Sequence, residues 1–168
     1  MEKKTETALD DVVIRFSGDS GDGMQMTGTL FTDTSAYLGN GVSTFPDFPA
    51  EIRAPQGTVS GVSGFQLHFG SHRVNTPGDY CDVLVAMNPA ALKANAKWLK
   101  KTATVIVDID SFNDKGIEKA GFKSDNPFAE LGIDGYNIVY APITSMTKET
   151  LKDSPIDNKS VVKCKNMF

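Results

Sequence analysis

The sequence predicts an α/β domain in which an open, mostly parallel sheet is covered by helices on both faces, giving three layers. Short apolar runs typical of buried strands alternate along the chain with segments of helical periodicity. A turn with three glycines in six residues separates the first strand from the first helix. The 168 residues suit one domain, which would bury roughly 70% of its unfolded surface.

Composition excludes several classes of protein. The net charge of -4 argues against a nucleic-acid partner, which needs clustered Lys and Arg. Cys81 and Cys164 lack metal-binding spacing, and an iron–sulfur cluster needs about four thiolates, so both are expected to be buried free thiols in a reduced, cytoplasmic protein. Residues 1–10 lack a signal-peptide core, and no apolar run of about 18 residues predicts a membrane span.

Residues 12–38 form the first predicted unit, which is a strand, a glycine loop and a helix. Gly18, Gly21 and Gly23 allow positive φ angles and the close approach of another group. A helix that starts at residue 22 or 23 would direct unpaired N–H groups and the positive end of its dipole at that group. The loop therefore predicts an anion site, although its glycines could also serve only to turn the chain.

The loop does not fit the two named phosphate motifs. Its G-x-x-G-x-G spacing reverses the dinucleotide pattern, and Met24 and Gln25 stand where a P-loop has Lys and Ser/Thr. Asp19 and Asp22 would also lie where a pyrophosphate binds, unless they turn outward as caps. Walker-type chemistry is thus excluded.

The next segments predict a strand at 42–45, a loop rich in proline and glycine at 46–57, and a long strand at 58–69. The long strand alternates, with one apolar face, and can run antiparallel at one side of the sheet. Arg53 in the loop is the cation that we place near the anion site. The alternative is a surface arginine paired with Glu51 or free in water.

Asn88 is a second candidate ligand-binding residue. It follows a buried strand at 82–87 and precedes Pro89, so it is expected to cap a helix that runs to Lys101. That position is the carboxyl end of a strand, where ligands bind in open α/β sheets. A capping role alone is the alternative.

The last segments predict strands at 103–109 and 136–143, with a short helix near 115–120 between them. Asp108 and Asp110 are interpreted as loop and cap residues, and Thr144 is expected to cap a helix that runs to about residue 152. The apolar pattern that starts at residue 160 stops without an end signal. We therefore predict a flexible tail at 1–10 and a single domain at 11–168 that is truncated at its C-terminal end.

In a parallel sheet the carboxyl-end loops share one edge, so residues 20–23, Asn88, residues 142–145 and Arg53 are expected to meet there. Such an arrangement is Rossmann-like. No nucleophile, acid–base pair or metal-ligand set accompanies these residues, so the domain is not expected to be catalytic alone.

Three motifs carry a family resemblance: FSGDSGDGMQMTG (16–28), FPDFPAEIRAPQGTVSG (45–61) and DVLVAMNPAAL (82–92). In this order they resemble the gamma domain of the thiamine-dependent 2-oxoacid:ferredoxin oxidoreductases, as in the N-terminal part of the alpha subunit of the 2-oxoglutarate enzymes. The resemblance implies an enzyme that uses thiamine diphosphate, Mg²⁺ and an iron–sulfur cluster held by other parts to convert a 2-oxoacid to an acyl-CoA. The implied partners are a pyrimidine-binding alpha domain, a thiamine-binding beta subunit, and ferredoxin as electron acceptor.

For this domain the resemblance implies a helper role, in which it receives coenzyme A beside the active site and holds subunits together. Carried over by position, the coenzyme A candidates are Ser20, Gly21, Asp22, Gly23, Met24, Arg53 and Asn88. Two alternatives remain open. One is a stand-alone, nucleotide-binding Rossmann-like oxidoreductase, in which Asp47 would hold the ribose. The other is a purely structural module that docks subunits.

Overall fold

A computed structural model of the protein describes residues 8–51 and 53–167. The first seven residues of the tail predicted at 1–10 lie outside this part. The strands are β1 Asp11–Asp19, β2 Gly41–Asp47, β3 Val62–Gly70, β4 Cys81–Ala86, β5 Leu99–Asp108 and β6 Asn137–Ala141. The helices are α1 Met24–Tyr37, α2 Pro89–Asn95, α3 Asp114–Lys119, α4 Pro127–Glu130, α5 Ile143–Thr150 and α6 Asn158–Lys163.

The six strands form one mixed sheet in the order β2-β3-β1-β4-β5-β6. β1, β4, β5 and β6 are parallel, whereas β3 is antiparallel to both β1 and β2. The predicted antiparallel strand is thus confirmed, and β2 rather than β3 lies at the edge. The sheet is covered on both faces. On one face Val13 packs in a core cluster with Leu92 of α2, and on the other face Ile14 and Phe16 pack with Met24 of α1.

The predicted start of the long strand at residue 58 was wrong, because β3 begins at Val62 and a 3-10 turn occupies Val59–Gly61. The neighbouring strands explain the difference. β1 pairs with β3 only as far as Asp19 opposite Val62, and β2 only as far as Asp47 opposite Gly64. Residues before Val62 therefore form local hydrogen bonds, such as Gly61 N to the Thr58 carbonyl at 3.0 Å.

The predicted helix from Pro89 to Lys101 was too long. α2 ends at Asn95, and β5 already begins at Leu99. The Asn95 side chain turns inward and donates to the Ser17 hydroxyl and the Ala91 carbonyl, both at 2.8 Å. Leu99 is buried as predicted, but as a strand residue opposite Cys81.

Asp108 and Asp110 cap a helix, as predicted, but the capped helix is α5. The Asp108 carboxylate accepts from the Thr144 amide at 3.2 Å, and Asp110 accepts from the Ser145 amide at 2.6 Å. The prediction that Thr144 itself caps the helix was wrong, because Pro142 holds the N-cap position and provides no side-chain hydrogen bond. The two carboxylates replace that cap at the positive end of the helix dipole.

Both cysteines are free, as predicted. Cys81 is buried, and its burial raises the pKa of the thiol to about 11. Cys164 is only half-buried, which corrects the prediction for that residue. Within residues 8–51 and 53–167, no helix has the length and apolar character needed to cross a bilayer.

Candidate functional site

The carboxyl ends of β1, β4 and β5 open on a cleft of about 380 Å³, called here the carboxyl-edge cleft. A volume in this range is typical of sites for small molecules and cofactors. The residues that line it come from the glycine loop, the proline-rich loop, α3 and the C-terminal turn; among them are Asp19, Asp22, Gln56, Gly57, Asn88, Asp110, Lys115, Lys119 and Lys165.

The glycine loop leaves several backbone donors free. The Asp22 amide donates to the Asp19 carbonyl at 2.9 Å, and the Asp22 carboxylate accepts from the Asp19 amide at 2.9 Å. Among the hydrogen bonds between described residues, none uses the amide of Ser20, Gly21 or Gly23. Gly23 has a φ of 76° and precedes α1 without a side-chain cap. These amides can therefore donate to an anion at the start of α1.

Asp22 is neutralised by a residue that the sequence analysis did not single out. Its carboxylate lies 2.9 Å from Lys165 Nζ, and both side chains are only 12% exposed. The Thr27 hydroxyl donates to the Asn166 carbonyl at 2.7 Å, and a Cβ at Gly23 would overlap the Asn166 side chain. The C-terminal turn at Cys164–Met167 thus forms one wall beside the glycine loop.

Asp19 turns toward the proline-rich loop. Its two carboxylate oxygens accept from the Gly57 amide at 3.1 and 3.0 Å. Burial raises the pKa of the Asp19 carboxyl above its ordinary value, while the Gly57 hydrogen bond opposes that shift and the nearby Asp22 charge adds to it. The carboxylates of Asp19 and Asp22 therefore already interact with other groups of the protein.

Asp19→Asn is expected to raise the melting temperature at pH 7. Because the folded-state pKa is raised, ionising this carboxyl costs free energy in the folded protein but not in the unfolded chain. The wild type thus loses stability relative to the variant as pH rises through the unfolded pKa, about 3.9, toward the folded pKa. Thermal unfolding at pH 3 and pH 7 measures this difference.

The variant and wild type should converge at the lower pH, where Asp19 is protonated in both states. Asp134→Asn, at an exposed position, is the matched control and should leave the melting temperature unchanged at both pH values. A lower melting temperature for Asp19→Asn at pH 7 would show that the hydrogen bonds from Gly57 outweigh the cost of burial.

The structure brings only some of the predicted site residues to the cleft. Asp22 and Asn88 line it, and Gly21 lies beside Gln56, whose Nε2 is 3.7 Å from the position of an added Cβ. Asn88 is 8% exposed and caps α2 by accepting from the Ala91 amide at 2.8 Å.

Met24 and Arg53 lie elsewhere. The Met24 side chain is 3% exposed and packs with Phe16 and Met87 in the core, so only its backbone belongs to the loop. Arg53 is exposed and does not line the cleft, to which its loop contributes Gln56 and Gly57 instead.

The sequence analysis missed the three lysines of the cleft, Lys115, Lys119 and Lys165. The i, i+4 spacing of Lys115 and Lys119 on the predicted short helix was a signal for one shared helix face. Lys165 had no such signal, because it reaches Asp22 from 143 positions away along the chain.

The cleft is lined by charged and amide side chains, and neither histidine of the chain is among the residues that line it. The chain's two histidines lie at the opposite end of β1, where the Nε2 atoms of His68 and His72 are 3.6 and 3.7 Å from the Asp11 carboxylate. The described part of the chain contains no group of three or more His, Cys, Asp or Glu side chains placed to hold a metal ion.

The fold and the cleft define a class of α/β domains that bind ligands at the carboxyl edge of the sheet. Comparison with known proteins identifies the family within that class. Residues 13–168 match the family described as pyruvate ferredoxin/flavodoxin oxidoreductase. The chain therefore belongs to the pyruvate ferredoxin/flavodoxin oxidoreductase family, which confirms the resemblance found in the sequence motifs.

A relative from Mycobacterium tuberculosis (strain ATCC 25618 / H37Rv), "2-oxoglutarate oxidoreductase subunit KorA", is 45% identical over 160 residues, which are 95% of this chain and 24% of the relative. The chain thus spans about a quarter of that relative's length.

Two solved structures share the fold. The 2-oxoglutarate:ferredoxin oxidoreductase from Magnetococcus marinus, solved with 2-oxoglutarate, coenzyme A and succinyl-CoA bound, gives a TM-score of 0.67 at 24% identity and is matched over 95% of this chain and 23% of its own.

The second structure is the gamma subunit of a keto/oxoacid ferredoxin oxidoreductase from Geobacter sulfurreducens PCA. It gives a TM-score of 0.57 at 18% identity, over 85% of this chain and 67% of its own. The α/β fold predicted from the sequence, with helices on both faces of the sheet, is therefore shared with oxidoreductase subunits and domains of this kind.

Proposed function

We propose that this chain is an accessory domain of a thiamine-dependent 2-oxoacid:ferredoxin oxidoreductase that acts on 2-oxoglutarate. In this role it helps to position coenzyme A for oxidative decarboxylation to an acyl-CoA and helps to assemble the subunits. Family membership and 45% identity to a 2-oxoglutarate oxidoreductase subunit support the context. The observation that carries the coenzyme A role is that the amides of Ser20, Gly21 and Gly23 form no hydrogen bond with another described residue, in a loop whose Asp19 and Asp22 line the carboxyl-edge cleft.

In this proposal the chain contributes binding and orientation. The free amides of the glycine loop donate hydrogen bonds to a phosphate group of coenzyme A, and Arg53 adds positive charge from the neighbouring loop. Asp22 shapes the loop, and Asn88 caps the start of α2 at the edge of the cleft. Thiamine diphosphate with Mg²⁺ supplies the decarboxylation chemistry and an iron–sulfur cluster carries the electrons, and both bind to other parts of the enzyme.

The surface of α1 supports a docking role with the pyrimidine-binding alpha domain or the thiamine-binding beta subunit. Asp33 is the one charged residue of the helix. The hydroxyls of Thr29, Thr32 and Thr34 donate to carbonyls one turn earlier at 2.8, 2.7 and 2.9 Å, so covering them costs little hydration free energy. Met26, Leu30 and Tyr37 lie on one face of α1 together with Asp33, and all three apolar side chains are exposed, which is typical of a protein interface.

Gly21→Asp is expected to raise the apparent KM for coenzyme A about tenfold in the complete enzyme that contains this chain, because a carboxylate beside the free amides repels a phosphate. Gly21 tolerates a side chain, since its φ is not positive and the nearest heavy atom to an added Cβ is Gln56 Nε2, at 3.7 Å. Steady-state kinetics with coenzyme A as the varied substrate measures the change.

Gly21→Asn is the matched control, because it has the same shape without the charge, and it should have a much smaller effect. Equal KM values for Gly21→Asp and the wild type would remove the coenzyme A role. The apolar surface of α1 then supports the second candidate function, a module that only docks subunits.

A further inference from the structure

Two lysines of α3 face the carboxyl-edge cleft without an anionic partner. Lys115 and Lys119 are one helical turn apart, so they lie on one face of α3, and both line the cleft. Among the described residues, neither ammonium group takes part in an ion pair or a hydrogen bond. The Lys119 stem lies against the proline-rich loop, where its Cδ is 3.4 Å from the position of a Cβ added at Gly57.

The carboxylates that share the cleft are already occupied. Asp22 pairs with Lys165, and Asp19 accepts from the Gly57 amide. The two oxygens of Asp110 accept from the Ser145 amide and hydroxyl, at 2.6 and 2.9 Å. The donors to Asp19 and Asp110 are neutral, so both carboxylates keep their charge, but Lys115 and Lys119 are the lysines of the cleft that no described carboxylate pairs with.

The position of this charge complements the glycine loop. The glycine loop with its neutral backbone donors follows β1, whereas the two ammonium groups of α3 come from the part of the chain that follows β5. A ligand with one phosphate could use either set. A ligand that bridges both sets needs several phosphate oxygens spread over the width of the cleft.

We infer that Lys115 and Lys119 bind the phosphate groups of the nucleotide half of coenzyme A, opposite the glycine loop. This inference rests on the proposed function and adds the residues that recognise the phosphates. Arg53, which lies outside the cleft, then contributes charge at a distance, whereas the two lysines make the contacts.

The test compares coenzyme A with pantetheine, which has the thiol arm but no phosphate, as acyl acceptors for the complete enzyme. Lys115→Gln/Lys119→Gln should raise the apparent KM for coenzyme A about tenfold and leave that for pantetheine unchanged. Calorimetric titration of the enzyme with coenzyme A should show the same loss of affinity without turnover. In the wild type the binding should weaken with added salt, and this dependence should be smaller in the double variant.

Lys101→Gln/Lys148→Gln is the matched control, because it removes the same charge from exposed positions outside the cleft, and it should change neither KM. An equal rise for both acceptors, or no rise for coenzyme A, would overturn the inference. The proposed function is tested by a different variant, because it requires that Gly21→Asp raise the apparent KM for coenzyme A. If Gly21→Asp weakens coenzyme A binding and the lysine variant does not, the proposed function stands and the assignment of phosphate binding to Lys115 and Lys119 is wrong.

Discussion

Replacing Asp47 by alanine is expected to lower the free energy of unfolding by about 2 kcal/mol, because the change leaves the buried Arg15 guanidinium without its counter-ion. Arg15 is 6% exposed and forms an ion pair with the Asp47 carboxylate. Fully buried pairs lose roughly 3–5 kcal/mol when one partner is removed. The smaller value applies here because the Asp47 side chain is 43% exposed and water can replace part of the interaction.

The other Arg15 contacts cannot compensate for this loss. Nε donates to Asn95 Oδ1 at 2.5 Å, and Nη1 donates to Gln66 Oε1 at 2.9 Å. Both acceptors are neutral amides, so they satisfy hydrogen bonds but leave the charge. The network joins β1, β2, β3 and the end of α2, and its disruption should therefore destabilise the whole sheet.

Urea denaturation measures this effect. Asp47→Asn keeps an acceptor for Arg15 and should lose less stability than Asp47→Ala, which separates charge from hydrogen bonding. Asp79→Asn is the control, because Asp79 is exposed and lines the same surface groove as Asp47 but forms no ion pair with another described residue. Equal stability of Asp47→Ala and the wild type would show that Arg15 does not depend on its carboxylate partner.

Gly28→Ala is expected to lower the free energy of unfolding by about 2 kcal/mol, although alanine is the better helix former. Gly28 is buried in α1 where the helix crosses β3, and a Cβ there would overlap three atoms of the Phe65 ring. Helix propensity favours Ala over Gly by about 1 kcal/mol. Overpacking costs roughly 1–3 kcal/mol, and the extent of the overlap places this site at the upper end.

Gly135→Ala is the matched control, since nothing lies within 4 Å of its added Cβ and its φ is not positive. It should be neutral or slightly stabilising. Thermal and urea unfolding of both variants provide the measurement. A gain in stability for Gly28→Ala would mean that α1 can move away from Phe65 at little cost, and the close packing of helix and sheet would not be a constraint.

Local signals made most of the fold predictable. The glycines at 18–23, the pair Asn88 and Pro89, and the apolar runs of β1, β4 and β5 each depend on the backbone preferences of adjacent residues. The errors occurred where distant contacts set the boundaries. β3 begins later than its alternating pattern because its partner strands end, and the helix predicted to reach Lys101 is shorter because Leu99 already pairs with Cys81 in the sheet.

The sequence alone determined the succession of the main strands and helices along the chain, the glycine loop at the start of α1 and the place of Asn88 at a strand end. Neighbouring residues encode each of these features. Only the tertiary structure decided which charges meet in the cleft. Lys165 neutralises Asp22, and Lys115 and Lys119 line the same cleft as Asp19 and Asp22. These pairings join residues far apart in the chain, and side-chain electrostatics depends on distance in space, which the spacing of residues in a sequence does not contain.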